Sequence, residues 1–318
     1  ATPSSATKRH SPSKLRSLLS MRELPVIAAL IALVLLTWTI NPRFLSAQGV
    51  LDLFLNATIA MLMAAGQSLI IQSEGVDLSV GSILGCTAFA TGFLFATNPG
   101  LPIGVVFVAG IVLGALLGAL NGLLVTQAKV PAMVITLGTL YVFRGGLNWW
   151  AGSTQYFAGD RPQAFGDLGV ATIAGFPLLT LLAVIVIVIV SLYQRYARSG
   201  RDLYAIGSDR AAAAVYGIPV AKRVFAAFVA NGALVGLGGV LYASRFNSVG
   251  ATTGAGMELD IVAACVVGGV AMTGGVGTAY GAAIGALLLS HCMSPLVVLS
   301  GHYGLFLHFI QLLRAYFQ

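Results

Sequence analysis

The sequence predicts an all-α fold: a polytopic integral membrane helix bundle of about ten transmembrane helices with a cytoplasmic N-terminus. Three observations carry that prediction. Of 318 residues, 58% are hydrophobic and 8% charged, against about 25% charged in a soluble domain. A soluble chain cannot hide so much apolar surface, whereas lipid covers it. Second, no Asp, Glu, Lys or Arg occurs over 78–128, 168–194 or 261–313. The first and third of these stretches each hold two spans of about 20 apolar residues. Third, the cations segregate. Lys8, Arg9, Lys14, Arg16 and Arg22 precede the first span, Lys129 follows the fourth, and Arg195, Arg198, Arg201, Arg210, Lys222 and Arg223 follow the sixth. With the N-terminus inside, all of these fall in the cytoplasm, as the positive-inside rule requires, while Arg43, Arg161 and Arg245 fall outside. The same segregation accounts for the net charge of +7 and leaves no basic face for nucleic acid, which is excluded as a partner; membrane lipid is the expected surround.

In chain order, residues 1–23 are basic and rich in Ser and Pro, and read as a disordered cytoplasmic tail with no cleavable signal peptide. Apolar stretches place spans over 24–40, 51–73, 80–97, 101–127, 131–150, 171–194, 222–243, 258–273, 278–299 and 302–317, so that 24–318 forms one membrane domain. The tenth is interrupted by His302, His308 and Arg314. Gly110, Gly114, Gly118 and Gly122 recur every four residues in the fourth span, and Gly277, Gly281 and Gly285 in the ninth. Such stripes let helix backbones approach closely in lipid. Packing within the chain and packing against a second subunit both satisfy them.

Polar residues at membrane depth are costly and therefore informative. Arg144 lies about 20 Å along its helix from Pro131 at 1.5 Å per residue. Three readings stay open for it: snorkelling to the outer interface, an ion pair with Glu258 or Asp260, and contact with a solute. The stretches 75–80 and 256–261 share the pattern Gly-x-acid-Leu-x-aliphatic. By parity the first lies near the inner face and the second near the outer, which suggests an inverted repeat with broken helices beside a pathway. Chance similarity, with Asp77 and Glu258 simply capping helix starts, is the alternative. Trp149, Trp150 and Tyr156 fit an aromatic belt; Trp149 and Asn148 are also candidates for solute contact. Gln67, Gln72 and Asn121, with Asn148, line a path or bond between helices. Cys86, Cys265 and Cys292, and the histidines, have no metal-ligand spacing; no metal site is expected.

The loop 195–222 is the most informative segment. Ser208 or Asp209 caps a helix start, Ala211–Ala214 favour helix, Gly217 suits the residue after a helix end and Pro219 blocks continuation. A helix of two turns is marginal alone, and its alanines permit close seating in a partner's groove or on its own bundle.

Four motifs in this order resemble the membrane permease subunits of ribose/xylose-type ABC sugar importers, a group that includes the autoinducer-2 import permeases. They are Gly75-Val76-Asp77-Leu78-Ser79-Val80-Gly81; Val130-Pro131-Ala132 with Thr136-Leu137-Gly138-Thr139 and Arg144-Gly145; Gly200-Arg201 with Ala205-Ile206-Gly207, Ala212-Ala213 and Gly217-Ile218-Pro219-Val220; and Glu258-Leu259-Asp260 with Ala263-Ala264 and Gly268-Gly269. The resemblance covers about residues 40–300. It implies a permease domain in the bacterial inner membrane and makes 195–222 a coupling loop. In that loop Asp209, Arg210, Ala211, Ala212, Ala213, Gly217, Ile218 and Pro219 would dock on an ATPase subunit. It also implies pathway or structural roles for Asp77, Ser79, Thr136, Arg144, Glu258 and Asp260. Arg210 stands where the family's loop has Glu, and the stretch from His302 departs from its last span. No Gly-Lys dipeptide occurs, so no P-loop exists. The chain is therefore expected to bind no cofactor, to be no enzyme, and to depend on partner ATPase subunits for ATP and Mg chemistry. The other expected partners are a periplasmic or lipid-anchored binding protein and a second permease copy or paralogue. The rival expectation is an ion-coupled secondary transporter working through Glu74, Asp77 or Glu258.

Overall fold

The structure, a computed structural model, describes residues 24–40, 45–128 and 130–303, with side chains for 24–39, 45–128 and 130–292. The expected tail over 1–23, Arg43, Lys129 and all but the first two residues of the expected tenth span lie outside the described residues. The described chain is an all-α bundle of twelve helices: α1 (Leu24–Ile40), α2 (Ala47–Gln72), α3 (Val80–Thr97), α4 (Ile103–Gln127), α5 (Ala132–Ala151), α6 (Gln163–Leu168), α7 (Leu178–Tyr196), α8 (Arg198–Ser208), α9 (Arg210–Val215), α10 (Val220–Arg245), α11 (Met257–Val267) and α12 (Ala279–Tyr303). Two small antiparallel pairs join them. β1 (Tyr156–Phe157) pairs with β4 (Ser248–Val249), and β2 (Thr172–Ile173) with β3 (Phe176–Pro177).

Helices α2, α3, α4, α7 and α10 are long and apolar enough to cross a membrane. Helix α5 has the length, at 20 residues, but carries Arg144, Asn148 and three glycines. Helix α2 is buried on every side from Met61 to Gln72, the condition of a helix at the centre of a bundle, and α7, α10, α11 and α12 pack around it. The hydroxyls of Thr58 and Thr180 meet at 2.7 Å between α2 and α7.

The glycine stripe of α4 is consumed within the chain. A Cβ on Gly114 would overlap the Gly232 carbonyl oxygen and lie 2.6 Å from the Gly236 Cα; one on Gly118 would overlap the Phe228 carbonyl oxygen. Helices α4 and α10 thus touch backbone to backbone, the packing that small residues permit in lipid. Gly281 and Gly285 of α12 face Gly268 and Ala264 in the same way. Gly277, expected in that stripe, instead precedes the helix in a turn at φ 120. Gly114→Leu is expected to abolish the monodisperse peak of the fluorescently tagged chain in size-exclusion chromatography, since overpacking alone costs about 1–3 kcal/mol. Gly104→Leu, which meets open space, is expected to leave that peak unchanged.

Three expected spans are redrawn. The sixth begins at Leu178 rather than 171, because Ala174 and Gly175, with φ 50 and 82, turn 172–177 into a hairpin. The eighth, expected over 258–273, is helical only over Met257–Val267: residues 268–273 lie outside the helix, and the segment 250–256 that precedes it is unwound. The ninth runs to Tyr303 without the break expected near residue 300.

Two connections re-enter the bundle. Helix α10, at 26 residues, runs about 39 Å at 1.5 Å per residue. Asn231, about 17 Å along it by the same rise, bonds to Asp77. The segment after α2 therefore climbs back to mid-bundle before α3 starts. The unwound 250–256 segment reaches the same level, since a Cβ on Gly254 would overlap the Gly81 carbonyl oxygen. The motifs at 75–80 and 256–261, expected near opposite faces, are thus brought together in the middle by the adjoining Gly81 and Gly254, and α3 and α11 leave that meeting point in opposite directions.

Candidate functional site

Three polar assemblies are strung along this axis. At mid-bundle, Asp77 is fully buried. Its Oδ1 accepts from the Ser79 amide (2.9 Å) and the Ser79 hydroxyl (2.7 Å), and its Oδ2 accepts from Asn231 Nδ2 of α10 (3.1 Å). Asn121 of α4 donates to the Ser79 Oγ at 2.7 Å and lies 3.5 Å from Asp77 Oδ1. A lone buried carboxylate is unfavourable unless hydrogen-bonded, and here one acid joins α3, α4 and α10. Thr136 of α5 fastens the same segment, accepting from the Leu78 amide at 3.1 Å and donating to the Val76 carbonyl at 3.0 Å.

At the basic end, α8 seats on the bundle through small residues. A Cβ on Gly207 would overlap the Gln72 carbonyl oxygen and the Gly275 amide. Around this seat Gln72 Nε2 donates to the Gly277 carbonyl (3.0 Å) and Tyr204 Oη (3.2 Å), and Tyr204 donates to the same carbonyl (2.8 Å). Gln194 Nε2 donates to Gln72 Oε1 (3.1 Å) and Ser68 Oγ (3.0 Å), and its Oε1 accepts from the Ala279 amide (2.8 Å). Asp202 of α8 pairs with Arg223 of α10 at 2.8 Å. This network ties α8 to α2, α7, α10 and the start of α12. Helix α9 follows directly. Asp209 rather than Ser208 caps it, accepting from the Ala212 amide at 2.9 Å, and the helix closes with Gly217 at φ 80. Ala213 is buried against the bundle, while Val215 and Tyr216 are 86% and 84% exposed.

Just beyond the Asp77 site, on its side away from α8, Arg144 donates to the carbonyls of Ala251 (3.0 Å), Thr253 (2.7 Å) and Gly81 (3.2 Å). It thus fastens the unwound segment to α3, and among the described residues the one ion pair is Asp202–Arg223. Neither Glu258 nor Asp260 pairs with Arg144. Glu258 places Oε2 beside Gly81, buried and without a hydrogen bond among the described residues. Asp260 is exposed on α11. On α5, Asn148 and Tyr141 are exposed and Trp149 is 89% exposed, whereas Trp150 turns its edge to Phe89 at 5.0 Å. Beyond the spans, Arg161 donates to the Ala243 and Phe246 carbonyls, and burial pulls its guanidinium below the ordinary value.

Asn121 and Gln72, singled out in the sequence, do bond between helices; Gln67 is fully buried without a partner among the described residues. Asn231, Gln194 and Tyr204 were missed. Their only trace in the sequence is an isolated polar side chain in or beside an apolar run, and their partners lie as far as 154 positions away.

A model of the family described as branched-chain amino acid transport system / permease component matches residues 49–313. The chain is 36% identical over 284 residues to the autoinducer 2 import system permease protein LsrC of Enterobacter sp. (strain 638), covering 89% of this chain and 82% of that one. It is 35% identical over 285 residues to the LsrC protein of Klebsiella pneumoniae, covering 89% and 81%. Against that of Escherichia coli K12 the figures are 34% over 278 residues, 87% and 80%. No solved structure matches.

Proposed function

Since this chain belongs to the family of branched-chain amino acid transport system permease components, it is a permease subunit of an ATP-binding-cassette importer in the bacterial inner membrane, and we propose that it moves a monosaccharide or related small polyhydroxylated solute inward. Ion coupling through Glu74, Asp77 or Glu258 has no support in these relatives. In the proposed arrangement the N-terminus is cytoplasmic, about ten spans cross the bilayer, and 195–222 is the coupling loop. ATPase subunits bind ATP and Mg, a binding protein delivers the solute, and this chain hydrolyses nothing. The solute class rests on the relatives, which are autoinducer 2 import permeases. A branched-chain amino acid is the second reading, favoured by the family's description.

The observation that carries the coupling role is α9. A capped helix of six residues, closed by a left-handed glycine, presents Val215 and Tyr216 to solvent at the basic end of the bundle. Its neighbour α8 bonds to Gln72 of α2, to Arg223 of α10 and to the Gly277 carbonyl just before α12, so a push on α9 reaches these elements. Asp260 supports a second permease copy or paralogue: an acid exposed on the α11 half-span is costly against lipid, and an assembly that encloses a path removes it from lipid. The exposed α5 face with Tyr141, Asn148 and Trp149 is proposed to border the same path.

Tyr216→Cys, placed opposite cysteines on a coexpressed ABC ATPase of the host, is expected to give a disulfide-linked product on mild oxidation. A cysteine at Gln155, at the other end of the bundle, is expected to give none. Equal products from both positions, or none from Tyr216→Cys with any ATPase that copurifies, would remove the docking role from α9.

A further inference from the structure

We propose that the cavity at the end of the bundle opposite α8 and α9 is a low-affinity site where this chain receives an uncharged, single-ring polyhydroxylated solute. The proposal rests on the importer reading above and names where within one subunit the solute first sits. The cavity lies between the unwound segment 250–256, the last turns of α10 and the β1–β4 pair, and has a volume of about 300 Å³. Small-molecule sites run from about 300 to 1,000 Å³, so this one suits a single ring.

Its wall is polar but uncharged. Gln155 offers an amide, and Tyr242, Ser248 and Thr252 offer hydroxyls. Among the described residues no hydrogen bond within the protein occupies these four side-chain groups. They remain free to donate to and accept from solute hydroxyls. A carboxylate or ammonium would find no counter-charge in this wall, which disfavours an amino acid. The Tyr242 ring, stacked on Phe246 at 4.2 Å, supplies an apolar surface for the C–H side of a ring.

The backbone points the same way. Non-helical chain at membrane depth survives only where protein buries it or water reaches it. Segment 250–256 is kept unwound by Gly254 and Gly256 at φ 75 and 87 and by Arg144 on the Ala251 and Thr253 carbonyls. Met257, the first residue of α11, also lines the cavity; its amide donates to the Gly254 carbonyl at 3.4 Å, and the helix start has no side-chain cap. The first-turn amides of a helix otherwise need outside acceptors.

The test uses the whole importer, with its ATPase and binding protein, in proteoliposomes, and measures uptake of labelled ribose, xylose, glucose, rhamnose and leucine. Thr252→Trp, which fills the cavity, is expected to lower uptake of the carried sugar at least tenfold while the complex elutes with its ATPase at the wild-type position. Gln155→Ala and Ser248→Ala are expected to change the ratio of uptake rates for two sugars differing by one hydroxyl by threefold or more. Uptake by Thr252→Trp within twofold of wild type overturns the proposal. If that variant does not assemble, an unchanged sugar ratio in Gln155→Ala and Ser248→Ala overturns it. A wild-type complex that takes up leucine and no sugar overturns the reading of the solute, and the ligand class of the cavity with it, an outcome separate from a failure of the cavity variants alone.

Discussion

Gly207→Ala is expected to stop ATP-driven uptake, although the substitution adds one methyl group far from any solute. The added carbon would overlap the Gln72 carbonyl oxygen and the Gly275 amide, both backbone atoms with no side-chain rotation to relieve them. Helix α8 has to lift from the bundle, and the bonds that Tyr204 makes, to the Gly277 carbonyl and from Gln72 Nε2, stretch with it. Each neutral bond contributes only about 0.5–1.5 kcal/mol, but they share one seat, so they fail together. The initial rate of uptake in proteoliposomes measures the effect, alongside the yield of the Tyr216→Cys cross-link to the ATPase. Loss of uptake with the cross-link retained means that docking survives and transmission fails, which is the expected pattern. Wild-type uptake would mean that α8 is not seated through Gly207.

The second large effect is expected at Asp77. Asp77→Ala removes the acceptor of the Ser79 amide, the Ser79 hydroxyl and Asn231 Nδ2. Each buried donor left without a partner costs about 1–3 kcal/mol. The loss falls where α3, α4 and α10 meet, and the variant is expected to lose most of its folded yield and to unfold well below wild type in a thermal shift measurement. Asp77→Asn is expected to be milder. It keeps Oδ1 for Ser79, and a half-turn of the Asn231 amide would bring its oxygen, which has no partner among the described residues, to the new NH₂ group. If Asn destabilises as much as Ala, the negative charge itself is required, and the account of Asp77 as a hydrogen-bond hub is wrong.

Much of the frame could be read from the sequence because membrane spans are declared locally. The first and third spans begin and end where the unbroken apolar runs do, at 24–40 and 80–97. Helix α9 was equally legible, since cap, alanines, glycine and proline lie within about ten residues and each acts on its neighbours. What was not legible depends on distant partners. The unwound 250–256 segment is stabilised by Arg144, over 100 positions away, and the early end of α11 at Gly268 reflects close approach of Gly281. Helix α8 lies within the expected loop 195–222, where Arg198, Arg201 and Asp202 dominate, yet Leu203 and Ile206 are buried at the spacing of one helical face. The pattern at 75–80 suggests a broken helix, but its re-entry to mid-bundle, rather than a place near one face, has no local sign. It follows from Asn231 and Asn121, two amides among many polar residues in apolar runs.

The most direct test of the central claim is uptake of labelled sugar by proteoliposomes holding this chain, an ABC ATPase and its binding protein, with ATP sealed inside and with proton and sodium gradients collapsed by ionophores. Uptake is expected to need internal ATP and external binding protein and to be indifferent to the ionophores. Uptake that continues without ATP and vanishes when the gradients collapse would contradict that claim.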